Sequence, residues 1–245
     1  MDVLRQRQPT VTPGDVAEHA RRCTRAMGAL LSIPAARAVA SLSRSMARWS
    51  ATHGLTGRGC QPSLAPHVCD AAAIGAVVAR LVRPAQHTQG ATVTVVDVGS
   101  GAGLPGMALG AMMPGLRVIS LEAALAKSVF QSYIQRKLGL RNLKVLRPSD
   151  AYCSAIGADV VIARALAPYR HLLRRLCRHG WAGAVLTASG YIDSAAIAQA
   201  ASGCGYRAAC ALRLKVPMVS KRRYVVITGA AYNGATPLAM PAGAL

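Results

Sequence analysis

The chain has 245 residues, 52% of them apolar but only 4% aromatic, with Phe130 its single phenylalanine. That is enough apolar material for a sizeable core in one or two domains, and the core must be built from small side chains. Against 29 Lys and Arg stand nine Asp and Glu, a formal charge of +20, which disfavours acidic partners and puts a polyanion first, although arginine-rich composition bias supplies part of the excess.

No run of 18 uncharged apolar residues exists, so a transmembrane helix is not expected. The N-terminal stretch has arginines but no apolar h-region, unlike a secretory signal, and Asp2, Asp15 and Glu18 count against a transit peptide. Seven cysteines without a CxxC pair support neither a disulfide framework nor a zinc site. The expectation is reduced thiols, no metal and a cytoplasmic location.

Residues 1–90 read as an Ala-rich helical extension. Arg37 to Trp49 places Val39, Leu42, Met46 and Trp49 on one helical face. A Gly/Pro-punctuated loop follows, then a helix from His67 to Val82 stopped by Pro84. After residue 90 the period changes. Thr92 to Val98 is a β-branched run suited to a strand buried on both faces. Next come a glycine loop, a helix over Pro105–Met113, a strand over Arg117–Glu122, a helix over Leu125–Leu138 and a short strand over Leu143–Leu146. The strand Asp159–Ala163, the helix Pro168–Arg178, the strand Ala184–Ala188 and the helix Ile192–Ser202 follow. Two strands, Arg207–Val216 and Tyr224–Thr228, have no helix between them and should form an antiparallel hairpin at the sheet edge. Strands alternating with helices imply an α/β fold, a mostly parallel seven-stranded sheet covered on both faces. Residues 91–230 form this domain, and 231–245 a Gly/Pro/Ala tail expected to be disordered.

The strongest chemical signal is Asp97-Val-Gly99-Ser-Gly101-Ala-Gly103-Leu-Pro-Gly106, leaving the first strand. Glycines let the chain turn tightly and let a ligand approach bare backbone, and the turn leads to a helix N-terminus whose free N–H groups favour polar or anionic groups. A nicotinamide-type GxGxxG fits at Gly101, Gly103 and Gly106, but too far beyond the strand end. A P-loop needs Gly-Lys-Ser/Thr, and no lysine is present. The remaining reading is an acid-x-Gly-x-Gly loop with a second acid, Glu122, closing the next strand. That arrangement suits S-adenosylmethionine, with Glu122 accepting the ribose hydroxyls and Asp97 near the amino-acid moiety. After strand four the chain runs Ala163-Arg164-Ala165-Leu166-Ala167-Pro168. It has neither the Asn/Asp/Ser-Pro-Pro-aromatic element of amine methylators nor the cysteine of cytosine-C5 methylators. A purine N7 has a free lone pair, so positioning alone could serve.

DVGSGAGLPG, the Lys127-bearing helix ending in KLGL, the segment VVIARAL and the ending LKVPMVSKRRYVVIT together resemble the RsmG (GidB) family over about residues 40–228. The resemblance implies a class I (Rossmann-like) methyltransferase with an N-terminal helical extension, modifying N7 of a guanine in the 530 loop of 16S rRNA. It implies cofactor contacts at Gly99, Leu104 and Arg164. It also implies cofactor contacts after strand three, where the family has a small residue followed by Glu: here either Asp150 replaces that Glu through a one-residue shift or Ser149 occupies its place. Lys127 stands where the family keeps a lysine. His67-Val-Cys-Asp70 matches the family's His-x-x-Asp helix start, though Asp70 could equally be a plain first-turn helix acid. The chain departs from the family at Gly54, where an asparagine is usual, and at Ser189-Gly190, where Lys-Gly is usual.

For RNA, the candidates are Lys127 and the basic cluster Lys221, Arg222 and Arg223, which is placed in the turn of the terminal hairpin; Arg170, Arg174, Arg175 and Arg178 recur along the fourth crossover helix. The resulting expectation is a monomeric S-adenosylmethionine-dependent methyltransferase acting on the small ribosomal subunit. A methyltransferase of another substrate and a non-catalytic assembly factor on the same fold remain alternatives.

Overall fold

Strands that read as unbroken β-branched runs need cover on both faces. The computed structural model supplies that cover. It describes residues 32–53, 65–86, 92–148, 156–164, 169–178, 184–189, 194–204, 208–214 and 223–229, with isolated positions between them. Two helices, α1 (Ile33–His53) and α2 (Ala65–Gln86), precede β1 (Thr94–Val98), α3 (Gly106–Met112), β2 (Arg117–Leu121), α4 (Leu125–Lys137) and β3 (Leu143–Leu146). Then come β4 (Val160–Arg164), α5 (Tyr169–Arg178), β5 (Ala184–Ser189), α6 (Ser194–Ser202), β6 (Ala208–Leu214) and β7 (Arg223–Gly229). The seven strands form one sheet in the order β3-β2-β1-β4-β5-β7-β6, parallel except for β7, which runs against both neighbours.

The two-residue period of the strands sorts their side chains between two cores. Val95, Val118, Val160 and Ile162 join α1–α4 on one face, and Val96, Ile119, Leu121, Val161 and Ala163 join α5 and α6 on the other. The first core is built of small residues, as the composition implies: Ala71, Ala72, Ala73 and Ala76 of α2 are all buried. Gly75 extends that flat surface, because a Cβ there would run into Leu109 and Met112 of α3. Three of the ten aromatics meet at one place. Trp49 meets Phe130 at 5.1 Å and stacks on Tyr133 at 5.8 Å, joining α1 to α4. Each such pair contributes about 1 kcal/mol beyond its buried area. Val39, Leu42 and Met46 are buried and Trp49 packs beside them, as the helical spacing predicts.

Two local expectations change. Helix α2 does not stop before Pro84 but continues to Gln86; a proline in the last turn removes only one intrahelical N–H bond, and two more residues follow it. The terminal antiparallel hairpin stands at the sheet edge as expected, with β6 outermost; what changes is the place of Arg223. β7 is inserted between β5 and β6, and Arg223 is its first residue, paired with Leu214 rather than lying in the turn. Ser149, Asp150, Lys221, Arg222, the Gly54–Gly57 stretch apart from Leu55, and the 231–245 tail lie outside the described residues.

Candidate functional site

The chain reverses its direction of winding between β1 and β4, and the crevice beyond the carboxyl ends of such strands is where open α/β sheets bind ligands. Asp97, Glu122 and Arg164 sit at those ends, on β1, just past β2 and at the end of β4. All three are removed from solvent to a large degree: Asp97 fully, Glu122 to 7% exposure and the Arg164 side chain to 14%.

Glu122 organises the glycine loop. Its Oε2 accepts the Gly101 N–H at 2.7 Å and its Oε1 the Ala124 N–H at 2.8 Å. Gly101 has φ +59, a left-handed conformation that any L side chain adopts at a cost. Each carboxylate oxygen has two lone pairs, so both retain capacity for another donor. Asp97 sits deeper. Its Oδ2 accepts the Gly106 N–H at 2.7 Å, whereas Oδ1 is the buried side-chain atom with no hydrogen-bond partner among the described residues. Gly106 is required by this approach, since a Cβ there would lie 2.6 Å from Asp97 Oδ2. Burial pushes the Asp97 carboxyl up to about 7, against the opposing pull of the Gly106 N–H and the Arg164 charge, with the Glu122 charge raising it further.

The free N–H groups expected at the start of α3 are not free. Gly106 N–H goes to Asp97, Met107 N–H to the Gly103 carbonyl, and both Gly103 and Leu104 N–H to the Ser100 carbonyl. Leu104 itself turns its side chain into the first core, so its side chain is not offered to the crevice. Gly99 N–H is taken by the Leu121 carbonyl at 2.9 Å. The loop is therefore a preformed, largely internally bonded turn, and the two carboxylates carry its charged capacity toward a ligand.

One residue that sequence reasoning missed holds this loop from the far side. Gln131 of α4, completely buried, donates from Nε2 to Ser100 Oγ and to the Gly101 carbonyl, both at 2.8 Å, and accepts from Ser120 Oγ at 2.6 Å. The available signal was a lone amide between Phe130 and Ile134 on the buried face of α4, since a buried polar side chain must find partners.

Arg164 is tied to the helical extension. Its Nε lies 2.9 Å from Asp70 Oδ2, its Nη2 lies 2.7 Å from His67 Nδ1, and its Nη1 approaches the His67 carbonyl at 3.4 Å. A guanidinium only donates, so His67 Nδ1 accepts and the ring proton resides on Nε2. Asp70 is not the first-turn helix acid: α2 begins at Ala65, and Asp70 is a buried ion-pair partner. Lys127, half-buried in the first turn of α4, follows Glu122 closely in sequence. Among the described residues no cluster of three or more His, Cys, Asp or Glu could hold a metal, and no helix is long and apolar enough to cross a membrane.

A family model described as GidB, rRNA small subunit methyltransferase G, matches residues 35–223. The chain is 29% identical over 238 residues to the ribosomal RNA small subunit methyltransferase G of Burkholderia pseudomallei, covering 92% of this chain and 97% of that protein. It is 30% identical over 212 residues to the Burkholderia thailandensis enzyme of the same name, covering 82% and 86%. Among solved structures, the N-terminal domain of human METTL16 in complex with SAH superposes with a TM-score of 0.54 at 12% identity, over 79% of this chain and 83% of that one. At that identity the likeness shows the class I methyltransferase fold.

Proposed function

Because the chain belongs to the GidB family, rRNA small subunit methyltransferase G, we propose that it transfers a methyl group from S-adenosylmethionine to a guanine of 16S rRNA. In this reading the acceptor is N7 of a guanine in the 530 loop. The observation that carries the cofactor half is the pair of buried carboxylates with unfilled acceptor capacity, Asp97 Oδ1 and the outer lone pairs of Glu122. An unpaired buried carboxylate oxygen is costly unless something with a donor or a positive charge completes it.

These residues fit the cofactor. Glu122 would hold its ribose hydroxyls, Asp97 Oδ1 its ammonium, and the Gly99–Gly103 turn would let it approach the backbone. Arg164 would stand beside its carboxylate, and the family resemblance adds Ser149 or Asp150 to the cofactor contacts. When bound, the cofactor supplies an electrophilic sulfonium methyl. The protein's own contribution is to orient and to exclude water, since held reactants need no further activation when the acceptor has a lone pair. Guanine N7 has one, so no proton has to be removed for transfer, in keeping with a β4 continuation, Ala165-Leu166-Ala167-Pro168, that carries no base.

Small-subunit rRNA isolated from a strain lacking this chain, and from the same strain complemented with it, decides the reading. Loss of 7-methylguanosine from the 530 loop on deletion, restored by the wild-type chain but not by the Glu122→Ala variant, is the expected result. Persistence of the modification in the deletion strain would sink the assignment and favour a non-catalytic role.

A further inference from the structure

The sequence directs attention for RNA to the terminal hairpin, to α5 and to Lys127 of α4. The structure extends the last of these into a broader cationic surface, at the edge of the sheet opposite the hairpin. From Ala123 to Ser149 the chain contains six basic residues and no acid. In space these residues belong to α4, the turn after it and the edge strand β3. Arg136, Arg141, Lys144 and Arg147 are exposed, and none of them forms a salt bridge among the described residues. Between α4 and β3 runs a groove of about 350 Å³ lined by Ser128, Val129, Ser132 and Arg136 on one side and Val145, Leu146 and Arg147 on the other.

The groove has an apolar floor, two hydroxyls and a guanidinium on each bank. Ser128 already donates to the Leu125 carbonyl, while Ser132, half-exposed, has its donor available. Arginine and serine together make the usual contacts to phosphate and sugar oxygens. Its position matters as much as its chemistry. Leu146 pairs with Leu121, the residue before Glu122, whose N–H reaches the Leu146 carbonyl at 3.0 Å, and Arg147 Nε donates to the Ala123 carbonyl at 3.3 Å. One end of the groove therefore abuts the loop that carries the cofactor-binding acid.

We propose that the α4–β3 groove is a docking surface for the RNA backbone, seating a strand of the substrate whose target base enters the neighbouring crevice. Charge complementarity selects the occupant: a polyanion neutralises a run of cations that no acid among the described residues pairs with. The inference rests on the reading of rRNA as substrate, and its test separates the two. Binding of the full chain to a fluorescein-labelled 16S rRNA fragment spanning the 530 hairpin is followed by anisotropy across a salt series. Arg136→Gln/Arg147→Gln is compared with Arg174→Gln/Arg175→Gln on α5, and equal thermal midpoints verify folding. The groove pair is expected to weaken binding about tenfold and to lower the slope of log affinity against log salt by about 1 to 2, while the α5 pair changes neither. Unchanged affinity and slope in the groove pair, or a loss confined to the α5 pair, overturns the groove and leaves the substrate reading intact. A groove pair that binds the naked fragment normally but no longer binds the assembled small subunit overturns the RNA occupant in favour of a ribosomal protein. Failure of the wild-type chain to bind the fragment or the subunit removes both.

Discussion

Asp97 and Glu122 stand near the ends of neighbouring parallel strands, and both accept a loop N–H at 2.7 Å. They differ in the second oxygen. Glu122 Oε1 has the Ala124 N–H, whereas Asp97 Oδ1 has no partner among the described residues. With solvent largely excluded from both, Asp97 has fewer hydrogen bonds to offset its burial than Glu122 has. Glu122 is an architectural acid that also has room for a ligand. Asp97 is held at a carboxyl pushed up to about 7, a local instability of the kind that persists at functional sites because the rest of the fold supports it. Arg164 belongs to the same balance, lowering the Asp97 pKa from the end of β4 while its guanidinium is held by Asp70 and His67.

The largest effect that breaks this contrast is expected at Arg164. Arg164→Met removes one half of a buried ion pair, at a cost of about 3 kcal/mol, and also removes the charge opposing Asp97's upward shift. Urea denaturation should show the loss. A cost below about 1 kcal/mol would mean that His67 and Asp70 contribute little to the fold through Arg164. Next in size is Gly106→Ala, whose new Cβ would meet Asp97 Oδ2 at 2.6 Å and Asp97 Cβ at 2.9 Å. The Gly106 N–H holds that same oxygen, so neither partner can retreat freely, and overpacking of this kind costs about 2 kcal/mol. Gly115→Ala, with nothing within 4 Å of its Cβ, is the reference. Equal stability of the two variants would remove the argument that Asp97 and Gly106 need close contact.

Much of this was legible before the structure because it is local. The unbroken apolar runs place β1, β2 and β4, and two acids standing at strand ends in a chain with nine acids are conspicuous. What was not legible depends on residues far apart in the chain. Gln131 reaches Ser100 across 31 positions and Arg164 reaches His67 across 97, and no local pattern specifies such pairs. The start of α3 was misread for a related reason: local reasoning leaves its first N–H groups free, but Asp97, nine residues earlier, takes the Gly106 N–H. Insertion of β7 between β5 and β6 likewise follows from strand order in space rather than from any property of Arg223–Gly229.

The smallest predicted effect isolates the two acids most cleanly, because it carries a pH signature. Asp97 is pushed up to about 7 in the folded chain from an ordinary carboxyl value of 3.8, so between these values the unfolded chain releases a proton that the folded chain retains. Folding stability contributed by this group therefore falls as pH rises from about 4 to about 7 and is level above that, with a ceiling on the order of 4 kcal/mol. Asp97→Asn keeps an oxygen for the Gly106 N–H and cannot ionise. Its amide nitrogen inherits the unpartnered position, so it recovers only part of that ceiling: a gain of about 1 kcal/mol at pH 8, fading toward pH 4. The corresponding Glu122→Gln variant should show no gain, since it loses an acceptor from an already bonded pair and leaves one loop N–H without a partner. If Asp97 stands in reserve for a cationic ligand, the stabilised Asp97→Asn chain should bind S-adenosylmethionine more weakly by calorimetry. Wild-type affinity should also decline as pH drops through about 7. A variant that is more stable and binds the cofactor as tightly as wild type at every pH would show that the unpartnered oxygen serves no ligand.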